Sequence, residues 1–374
     1  MSEHKIIRIA QVMGKMNYGG VEAVVMNYYR HIDRTKVQFD FIVDEDSKLP
    51  QKEEIERLGG RIQIVPRYEN LLAYVKAIYT LCKKEQYTII HAHMNVLSVF
   101  PLAMAKLAKV PVRIAHSHST QGKGEWKRNL VKTALKPFSK WFATHYFACS
   151  ALAGKWLFGK KAMETGKVTL ISNAIAIDQF CYQPVLREQK RKELGVENAF
   201  VIGHIGRFMP QKNHTFLIDI FAHIYEKRKD AVLLLVGDGQ LETTIQEKVK
   251  ALGMEKACMF LGNRKDVAQL YQAMDVFLLP SLYEGLPVVG IEAQTAGVKT
   301  FLSSAMTQET KLLESTEFLS LEQGAEAWAN AILQAKTIDK YTTAEQVRKK
   351  GYAIQTEAKK METMYQELER EYAT

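Results

Sequence analysis

The stretch P-S-L-Y-E-G-L-P-V-V-G-I-E-A-Q-T-A-G, residues 280–297, sets the interpretation of the whole chain. It follows a continuous apolar run at 276–279, which is typical of a strand buried on both faces. Gly285 then lies in a turn, and Pro287 stands where a helix takes its first residue. The segment therefore predicts a strand, a tight loop and a helix, with Glu284 on the loop and Glu292 in the helix.

The two glutamates flank a predicted anion site. The first N–H groups of a helix lack intrahelical partners, so a helix N-terminus at the carboxyl edge of a parallel sheet attracts anions. Carboxylates do not bind phosphate, but they suit hydroxyl-rich groups on either side of it, such as a sugar and a ribose. The structural alternative is that Glu284 caps the helix and that Glu292 is a solvated helix residue.

Size and composition predict a two-domain α/β protein. A chain of 374 residues is too long for one ordinary core. We expect domains at 1–180 and 181–350, with the interdomain crossing at about 182–196, where strand character is lacking. A long closing helix is expected over about 343–371, and the segment 351–374 is expected to pack back on the first domain. No apolar run approaches the ~20 residues of a membrane span, and the start M-S-E-H-K-I-I-R leads us to expect no signal peptide. The cysteines share no metal-binding spacing, so we expect reduced thiols in a cytoplasmic protein.

The charge is concentrated in the first half of the chain. Residues 1–180 hold 27 Lys and Arg against 15 Asp and Glu, a net charge of +12. The remainder holds 51−27 = 24 basic residues against 41−15 = 26 acidic residues, a net charge of −2. This asymmetry predicts an anionic partner for the first half: membrane phospholipid, a phosphorylated acceptor or nucleic acid.

Strand patterns alternate with helical patterns along the chain, which predicts βαβ units and parallel sheets. In the first half, T-I-I-H-A-H and R-I-A-H-S-H place four histidines at strand carboxyl ends, where open α/β sheets hold ligands. These are His91, His93, His116 and His118. A zinc site is one interpretation of the group. Hydrogen-bonded core residues are the other, which we favour for His91 and His93, because no carboxylate or cysteine joins them at metal spacing.

Two further loops carry candidate ligand-binding residues. The first strand runs into G-K-M-N-Y-G-G, where Gly19 and Gly20 permit close approach of a ligand to the backbone. The absence of a full G-x-G-x-x-G pattern there disfavours an NAD enzyme. In the second half, R-F-M-P-Q-K carries Arg207 and Lys212 on a predicted strand-to-helix loop, where two cations would face a diphosphate.

A basic segment at 123–142 predicts an amphipathic helix that Pro137 kinks or splits. A basic helix with aromatic side chains is typical of a membrane surface. The alternative is a surface helix that packs its apolar side on the sheet. Lysines as far as residue 167 extend the positive surface. The apolar stripe is Trp126, Leu130, Ala134, Phe138 and Phe142, and the basic stripe is Arg128, Lys132, Lys136 and Lys140.

The spacing of Glu284 and Glu292, with G-L-P between them and A-x-x-x-G after them, resembles the donor-binding segment of family 4 retaining glycosyltransferases. The resemblance to this family, which is also called glycosyl transferases group 1, covers essentially the whole chain. It implies the GT-B architecture, in which two Rossmann-like parallel-sheet domains face a cleft and the C-terminal helix crosses back to the first domain. The second domain would bind the nucleotide-sugar donor, and the first would bind the acceptor.

The same resemblance implies roles for individual residues. Glu284 would lie at the donor sugar, Glu292 at the ribose, and Asn263 and Arg264 beside the base. A histidine of the first domain would hold the sugar, and both His116 and His118 fit that position. The implied catalytic residues are His118, His116 and Glu284, and the implied donor-binding residues are Gly19, Gly20, Arg207, Lys212, Asn263, Arg264, Glu284, Gly285, Leu286 and Glu292.

The resemblance predicts a transferase that moves a sugar, with retention, from a nucleotide diphosphate donor such as a UDP-sugar to a lipid-linked saccharide. Such an enzyme would serve surface polysaccharide assembly at the inner face of the plasma membrane. No D-x-D metal motif is evident in the cleft segments, so we expect no metal or other cofactor. The alternatives are an enzyme of the same fold acting on a small soluble acceptor, a nucleotide-sugar epimerase, and a nucleic-acid-binding protein. The last is suggested only by charge, so we expect no nucleic acid partner.

Overall fold

The computed structural model describes residues 6–17, 19–119 and 133–373. The chain forms two compact units, one made of Met1–Ala174 with Ile354–Thr374 and the other of Ile175–Ala353. The sequence-based border at residue 180 falls at the end of the helix Ile177–Phe180, which lies in the second unit. The last 21 residues of the chain belong to the first unit.

The first unit is built on a seven-stranded parallel sheet with the order β3-β2-β1-β4-β5-β6-β7. Its strands pair in register, so that Gln11 of β1 lies opposite His91 of β4. The strands are β1 Ile7–Gly14, β2 Val37–Asp44, β3 Arg61–Val65, β4 Ile89–Ala92, β5 Val112–Ser117, β6 His145–Ala148 and β7 Val168–Leu170.

Helices connect these strands, as parallel pairing requires. They are α1 Gly20–His31, α2 Lys52–Arg57, α3 Leu71–Glu85, α4 Val99–Leu107, α5 Ser139–Phe142, α6 Ala151–Phe158, α7 Lys160–Glu164 and the closing helix α16 Ile354–Ala373. Short 3₁₀ turns lie at Asn95–Ser98 and Lys136–Phe138. The closing helix packs against α1, and its buried Tyr365 contacts Phe39 of β2 edge to face.

The second unit is built on a six-stranded parallel sheet with the order β10-β9-β8-β11-β12-β13. The strands are β8 Phe200–Ile205, β9 Ala231–Val236, β10 Cys258–Phe260, β11 Val276–Leu279, β12 Lys299–Ser303 and β13 Thr316–Leu319. The β11 residues are all buried, as the continuous apolar run predicts.

The helices of the second unit are α8 Ile177–Phe180, α9 Pro184–Leu194, α10 His214–Lys227, α11 Glu242–Ala251, α12 Val267–Ala273, α13 Val288–Thr295, α14 Gly324–Leu333 and α15 Thr343–Lys349. Three 3₁₀ turns lie at Pro210–Lys212, Gln308–Thr310 and Leu321–Gln323. The core of this unit includes the fully buried Trp328, whose indole N–H donates to Ser320 O at 2.9 Å.

Each sheet changes its direction of winding once. In the first unit this happens between β1 and β4, and in the second between β8 and β11. The crossovers on the two sides of such a switch point leave toward opposite faces, so the loops that follow the two strands separate and form a crevice. The loops after β8 and β11 carry Arg207, Lys212 and Glu284, which places these candidate residues at a switch point.

Two sequence-based expectations differ from the structure. A single closing helix over about 343–371 was expected, but two helices form, and they end and begin on either side of Gly351, whose φ is +84°. That left-handed conformation cannot continue a helix and favours glycine. The stretch at 182–196 was expected to be a crossing without strand character, with no helix foreseen; it contains α9, which starts at Pro184 in the first-residue position that proline favours.

The basic segment at 123–142 is described only in part. Its residues up to 132, including the predicted stripe positions Trp126, Arg128, Leu130 and Lys132, lie outside the described residues. Pro137 lies in the turn Lys136–Phe138, which is followed by the single helical turn α5. Across the described parts of the chain, the longest apolar helices fall short of what a bilayer span requires.

Candidate functional site

The loops after β8 and β11 are joined by a buried ion pair. Lys212 Nζ lies 2.7 Å from Glu284 Oε1, and the two side chains retain 14% and 10% exposure. Gln211 adds two hydrogen bonds between the same loops. Its Nε2 donates to Glu284 Oε2 at 3.2 Å, and its backbone carbonyl accepts from Leu282 N–H at 2.8 Å. The structure therefore brings the predicted cation and the predicted carboxylate into direct contact at the switch point.

The loop after β9 packs backbone against backbone with the loop after β8. Phe208 N–H donates to Asp238 O at 2.7 Å, and Leu241 N–H donates to Phe208 O at 3.0 Å. Gly237 makes this approach possible, since its φ is +133° and a Cβ there would lie 2.3 Å from Gly206 O. The V-G-D-G sequence is thus a structural part of the site that sequence analysis did not single out.

Glu292 lies within α13, as predicted, and its carboxylate contacts a tyrosine, although the residue is partly exposed. Tyr271 Oη lies 3.0 Å from Glu292 Oε2 and 3.0 Å from Val289 O. Burial raises the pKa of Glu292 to about 7, and the hydrogen bond from Tyr271 offsets part of that shift. Glu292 is therefore not the freely solvated helix residue of the structural alternative.

The remaining predicted donor residues occupy different surroundings. Arg207 is exposed on the loop after β8, whereas Gly285 and Leu286 are buried just before α13. Arg264 is held by Asp266, to whose carboxylate oxygens its Nε and Nη2 donate at 2.7 Å each. Asn263 is exposed beside it, on the loop that follows the edge strand β10.

In the first unit, the predicted glycine-rich loop surrounds a carboxylate. Helix α1 begins at Gly20, and Gly19 is its N-cap residue. Glu22 Oε1 accepts from Asn17 N–H at 3.2 Å, and a Cβ on Gly19 would lie 2.2 Å from Glu22 Oε2. The glycine at position 19 therefore makes room for an acidic side chain at the positive end of α1.

The four histidines form one buried layer on a single face of the first sheet. Side chains alternate between faces along a strand, so H-A-H at the end of β4 and H-S-H at the end of β5, where His93 and His118 are the first residues past the strands, direct all four rings to the same side. The ring centroids of His91 and His93 are 4.2 Å apart, and those of His116 and His118 are 3.9 Å apart. The sequence-based cluster is therefore real, and it includes both candidate sugar-binding histidines.

Hydrogen bonds link this layer to β1 and to the closing helix. His91 Nε2 lies 3.0 Å from His116 Nδ1, and His93 Nδ1 lies 2.8 Å from His118 Nε2. The outer nitrogens of the β4 histidines bond Tyr365 and Gln11, at 2.7 Å each. His91 and His93 thus have the hydrogen-bonded core environment that we favoured for them.

Burial keeps the layer neutral. The exposed fractions of His91, His93, His116 and His118 are 1%, 5%, 2% and 7%. Burial lowers the pKa of His118 to about 3, and burial together with the neighbouring imidazoles places the pKa values of the other three well below the ordinary value. The rings line a cavity of about 20 Å³, which fits a water molecule but not a sugar.

Three of these histidines also meet the distance requirement for a shared metal ion. Ligand atoms of His91, His93 and His116 all lie within 4.8 Å of one another. Two of the possible ligand atoms, His91 Nε2 and His116 Nδ1, already share a hydrogen bond with each other. Coordination through those two nitrogens would require that bond to break.

Three further residues contact the histidines, and the sequence analysis did not identify them as candidates: Gln11, Tyr365 and Asn95. Gln11 and Tyr365 contact the layer from strands and helices that are far apart in the chain. Asn95, whose φ is +52°, accepts at Oδ1 from the N–H groups of His118 at 2.7 Å and Ser119 at 3.2 Å. The only local sequence signal for Asn95 was its residue type after A-H-M, because asparagine adopts the left-handed conformation more readily than most residues.

The two Rossmann-like sheets, with charged loops at a switch point, define the class of GT-B glycosyltransferases. Residues 186–353 match the family described as Glycosyl transferases group 1, and residues 18–179 match Glycosyltransferase Family 4. A curated relative, the putative glycosyltransferase EpsF of Bacillus subtilis (strain 168), is 36% identical over 335 residues, which cover 88% of this chain and 87% of the relative. The chain therefore belongs to the family 4 glycosyltransferases.

Two other similar proteins carry more specific names. The UDP-Gal:alpha-D-GlcNAc-diphosphoundecaprenol alpha-1,3-galactosyltransferase of Escherichia coli is 27% identical and covers 81% of each chain. The crystal structure of Anabaena HepE in complex with UDP-glucose covers 96% of this chain and 100% of its own, with 20% identity and a TM-score of 0.80. The latter likeness supports the GT-B fold that the sequence predicted.

Gly237→Ala tests the backbone approach of the two loops. The added Cβ would meet Gly206 O, so we expect the free energy of unfolding of the second unit to fall by about 3 kcal/mol in urea titrations. Gly253→Ala is the matched control, because Gly253 also has positive φ (+65°) but nothing within 4 Å of its Cβ position. It should cost about 1 kcal/mol. Equal losses in the two variants would contradict the steric argument.

Glu292→Gln tests the raised carboxyl pKa. The folded-state pKa is about 7, against 4.5 for the solvent-exposed carboxyl of the unfolded chain, so ionisation penalises the native state increasingly from pH 4.5 to 7 and fully above pH 7. We expect the variant to match the wild type at pH 4.5 and to exceed its stability by about 2 kcal/mol at pH 8, since the residue keeps partial water contact. Urea unfolding at both pH values measures this, with exposed Glu247→Gln as the charge control. A constant difference across pH would contradict it.

Proposed function

We propose that this protein is a retaining, metal-independent glycosyltransferase that moves a sugar from a UDP-sugar donor to a lipid-linked saccharide during surface polysaccharide synthesis. The observation that supports the proposal is the contact between Lys212 and Glu284 at the switch point, with Glu292 eight residues after Glu284. In the proposed site, the lysine binds phosphate and the neighbouring carboxylate binds sugar hydroxyls.

The names of similar proteins support the choice of donor and acceptor. The Escherichia coli relative is named for transfer from UDP-Gal to a diphosphoundecaprenol-linked sugar, and HepE was crystallised with UDP-glucose. A further relative is named as a capsular polysaccharide biosynthesis glycosyltransferase of Staphylococcus aureus, at 24% identity over 77% of this chain. A polyprenyl diphosphate acceptor is also consistent with the net charge of +12 in residues 1–180.

The transfer step breaks the bond between the anomeric carbon and the diphosphate oxygen and forms a bond from that carbon to an acceptor hydroxyl. The acceptor proton passes to the departing diphosphate, so that no separate base is needed. Arg207 and Lys212 stabilise the negative charge that develops on the diphosphate, and this replaces a divalent metal. Ribose hydroxyls that donate to Glu292 favour its ionised form and counteract the burial that raises its pKa.

His118 is the better candidate for the histidine that holds the donor sugar. It retains 7% exposure against 2% for His116, and its ring nitrogen Nε2 is already bonded to His93. A sugar hydroxyl that donates to Nδ1 of His118 would therefore find an acceptor on the least buried ring of the layer.

A thermal-shift screen with UDP, GDP, ADP and their sugar conjugates tests the donor site. Ligand at about 100 times its dissociation constant should add about 2.7 kcal/mol of stability. We expect a shift with UDP and UDP-sugars that EDTA does not change. Lys212→Met should abolish most of it, whereas exposed Lys256→Met should leave it intact. Absence of a shift with every nucleotide would overturn the proposed function, and loss of the shift in EDTA would overturn metal independence.

An exposed patch on the first unit supports membrane association. We call it the aromatic–basic patch: Leu107, Phe138 and Trp141 with Lys106 and Lys140. The apolar members are 64%, 38% and 66% exposed, and α4 packs against α5. The rings of Phe138 and Trp141 lie edge to face at 5.0 Å. Each lysine near an anionic leaflet adds about 1 kcal/mol of attraction, and the aromatic rings suit the headgroup region.

Trp141→Ser tests this patch by co-sedimentation with vesicles. We expect binding to phosphatidylglycerol vesicles but not to phosphatidylcholine vesicles, and about tenfold weaker binding for the variant because it loses an apolar ring. Leu72→Ser removes another exposed apolar side chain, 83% exposed, from the same unit and should leave binding unchanged. Equal binding to both lipids, or equal losses in the two variants, would contradict a membrane role for the patch.

A further inference from the structure

The amide of Gln11 joins two hydrogen-bonded branches of the histidine layer. Its Oε1 lies 2.7 Å from His93 Nε2, and its Nε2 donates to Tyr365 Oη at 3.1 Å. Gln11 itself is 1% exposed in the middle of β1. An amide presents an acceptor on one side and a donor on the other, so one side chain sets the direction of both branches.

The first branch fixes the proton of His118. Since Gln11 Oε1 can only accept, His93 Nε2 must carry a hydrogen, and in a neutral ring His93 Nδ1 is then an acceptor. The 2.8 Å bond to His118 must accordingly be donated by His118 Nε2–H. That leaves Nδ1 of His118 unprotonated, with a lone pair for a hydroxyl donor.

The second branch runs the other way. Tyr365 Oη accepts from Gln11 and donates to His91 Nδ1 at 2.7 Å. His91 Nε2–H then donates to His116 Nδ1 at 3.0 Å, and the branch ends at His116 Nε2, which has no hydrogen-bond partner among the described residues. This branch does not include His118, so the two branches can be perturbed separately.

We propose that Gln11 is a positioning residue that selects the tautomer of His118 through His93. The consequence for catalysis rests on the proposed function, in which His118 accepts from a donor-sugar hydroxyl. The backbone of His118 is fixed independently, because Asn95 Oδ1 accepts from its N–H and Cys149 Sγ lies 3.4 Å from its carbonyl oxygen. These backbone contacts do not determine which ring nitrogen of His118 carries the proton. The hydrogen bonds from Gln11 through His93 determine it.

The inference explains why a polar residue occupies a buried strand position. An apolar side chain at position 11 would leave His93 Nε2 without its acceptor, and either tautomer of His93 and His118 would then satisfy their mutual bond. Rotation of the amide by 180° would reverse every donor and acceptor in both branches. The orientation with Oε1 toward His93 is therefore the feature under test.

Nitrogen-15 NMR of histidine-labelled protein reads the tautomers directly, with the His118 signals assigned by their loss in His118→Asn. In the wild type we expect His118 to be protonated at Nε2. Gln11→Met, which keeps the side-chain length, should give a mixture of His118 tautomers. Tyr365→Phe is the matched control: it removes the hydroxyl that makes two hydrogen bonds in the other branch, to Gln11 and His91, and should leave His118 unchanged while altering His91 and His116.

Steady-state kinetics with the UDP-sugar adds a functional readout. We expect Gln11→Met to lower kcat about tenfold with donor KM within about twofold, and Tyr365→Phe to retain kcat. A wild-type His118 protonated at Nδ1, or a His118 tautomer that Gln11→Met leaves unchanged, would overturn the inference. So would equal kcat losses in both variants, which is the result of a purely structural role.

The wild-type and Tyr365→Phe spectra test the tautomer assignment even if Gln11→Met does not fold. Failure of the proposed function is distinguishable, since it would appear as absence of turnover in the wild type with every nucleotide sugar. The NMR experiment needs no substrate and would stand in that case.

Discussion

The change of winding direction within each parallel sheet is the constraint on which the described sites depend. Parallel pairing puts the carboxyl ends of the strands on one edge, and the switch point separates the loops after two neighbouring strands. In the second unit these loops are rejoined by the ion pair of Lys212 with Glu284. Burying such a pair is tolerable only with further hydrogen bonds, which Gln211 provides. The loops therefore hold one another in place through the same groups that the proposed reaction uses.

In the first unit, the main constraint is the burial of four imidazole rings. A neutral imidazole has one donor and one acceptor, and leaving either unpaired costs about 1–3 kcal/mol. Alternation along β4 and β5 stacks the rings, and their nitrogens bond across the strand pair. Gln11 and Tyr365 then satisfy the outer nitrogens. Polar residues thus occupy a sheet face that would otherwise be filled by aliphatic side chains, and the orientation of the Gln11 amide sets the direction of their hydrogen bonds.

Local sequence predicted the elements and their order because the β11 apolar run, the glycines and the alternating H-x-H patterns act over a few residues. It also placed Glu292 in a helix and the histidines on one edge. It did not predict that α9 would form, since Arg187 and Arg191 pair with Asp275, more than 80 residues away. Nor could it predict the hydrogen bond between Tyr365 and His91, because the two residues are 274 positions apart in the chain. The break at Gly351 was missed because one glycine in a helical pattern does not reveal its φ.

The first unit is formed from two segments that are far apart in the chain, and this affects its folding during synthesis on the ribosome. Its first 174 residues emerge early, but Ile354–Thr374 follows only after the whole second unit, 354−174 = 180 positions later. At a translation rate of about 5–20 residues per second, the sheet waits about 10–40 s for its final helix. During that interval Tyr365 is missing, and α1 lacks the helix that packs on it. The nascent first unit therefore stays incomplete while the second unit already has all its strands, and the histidine layer lacks the hydroxyl that bonds His91 during that interval.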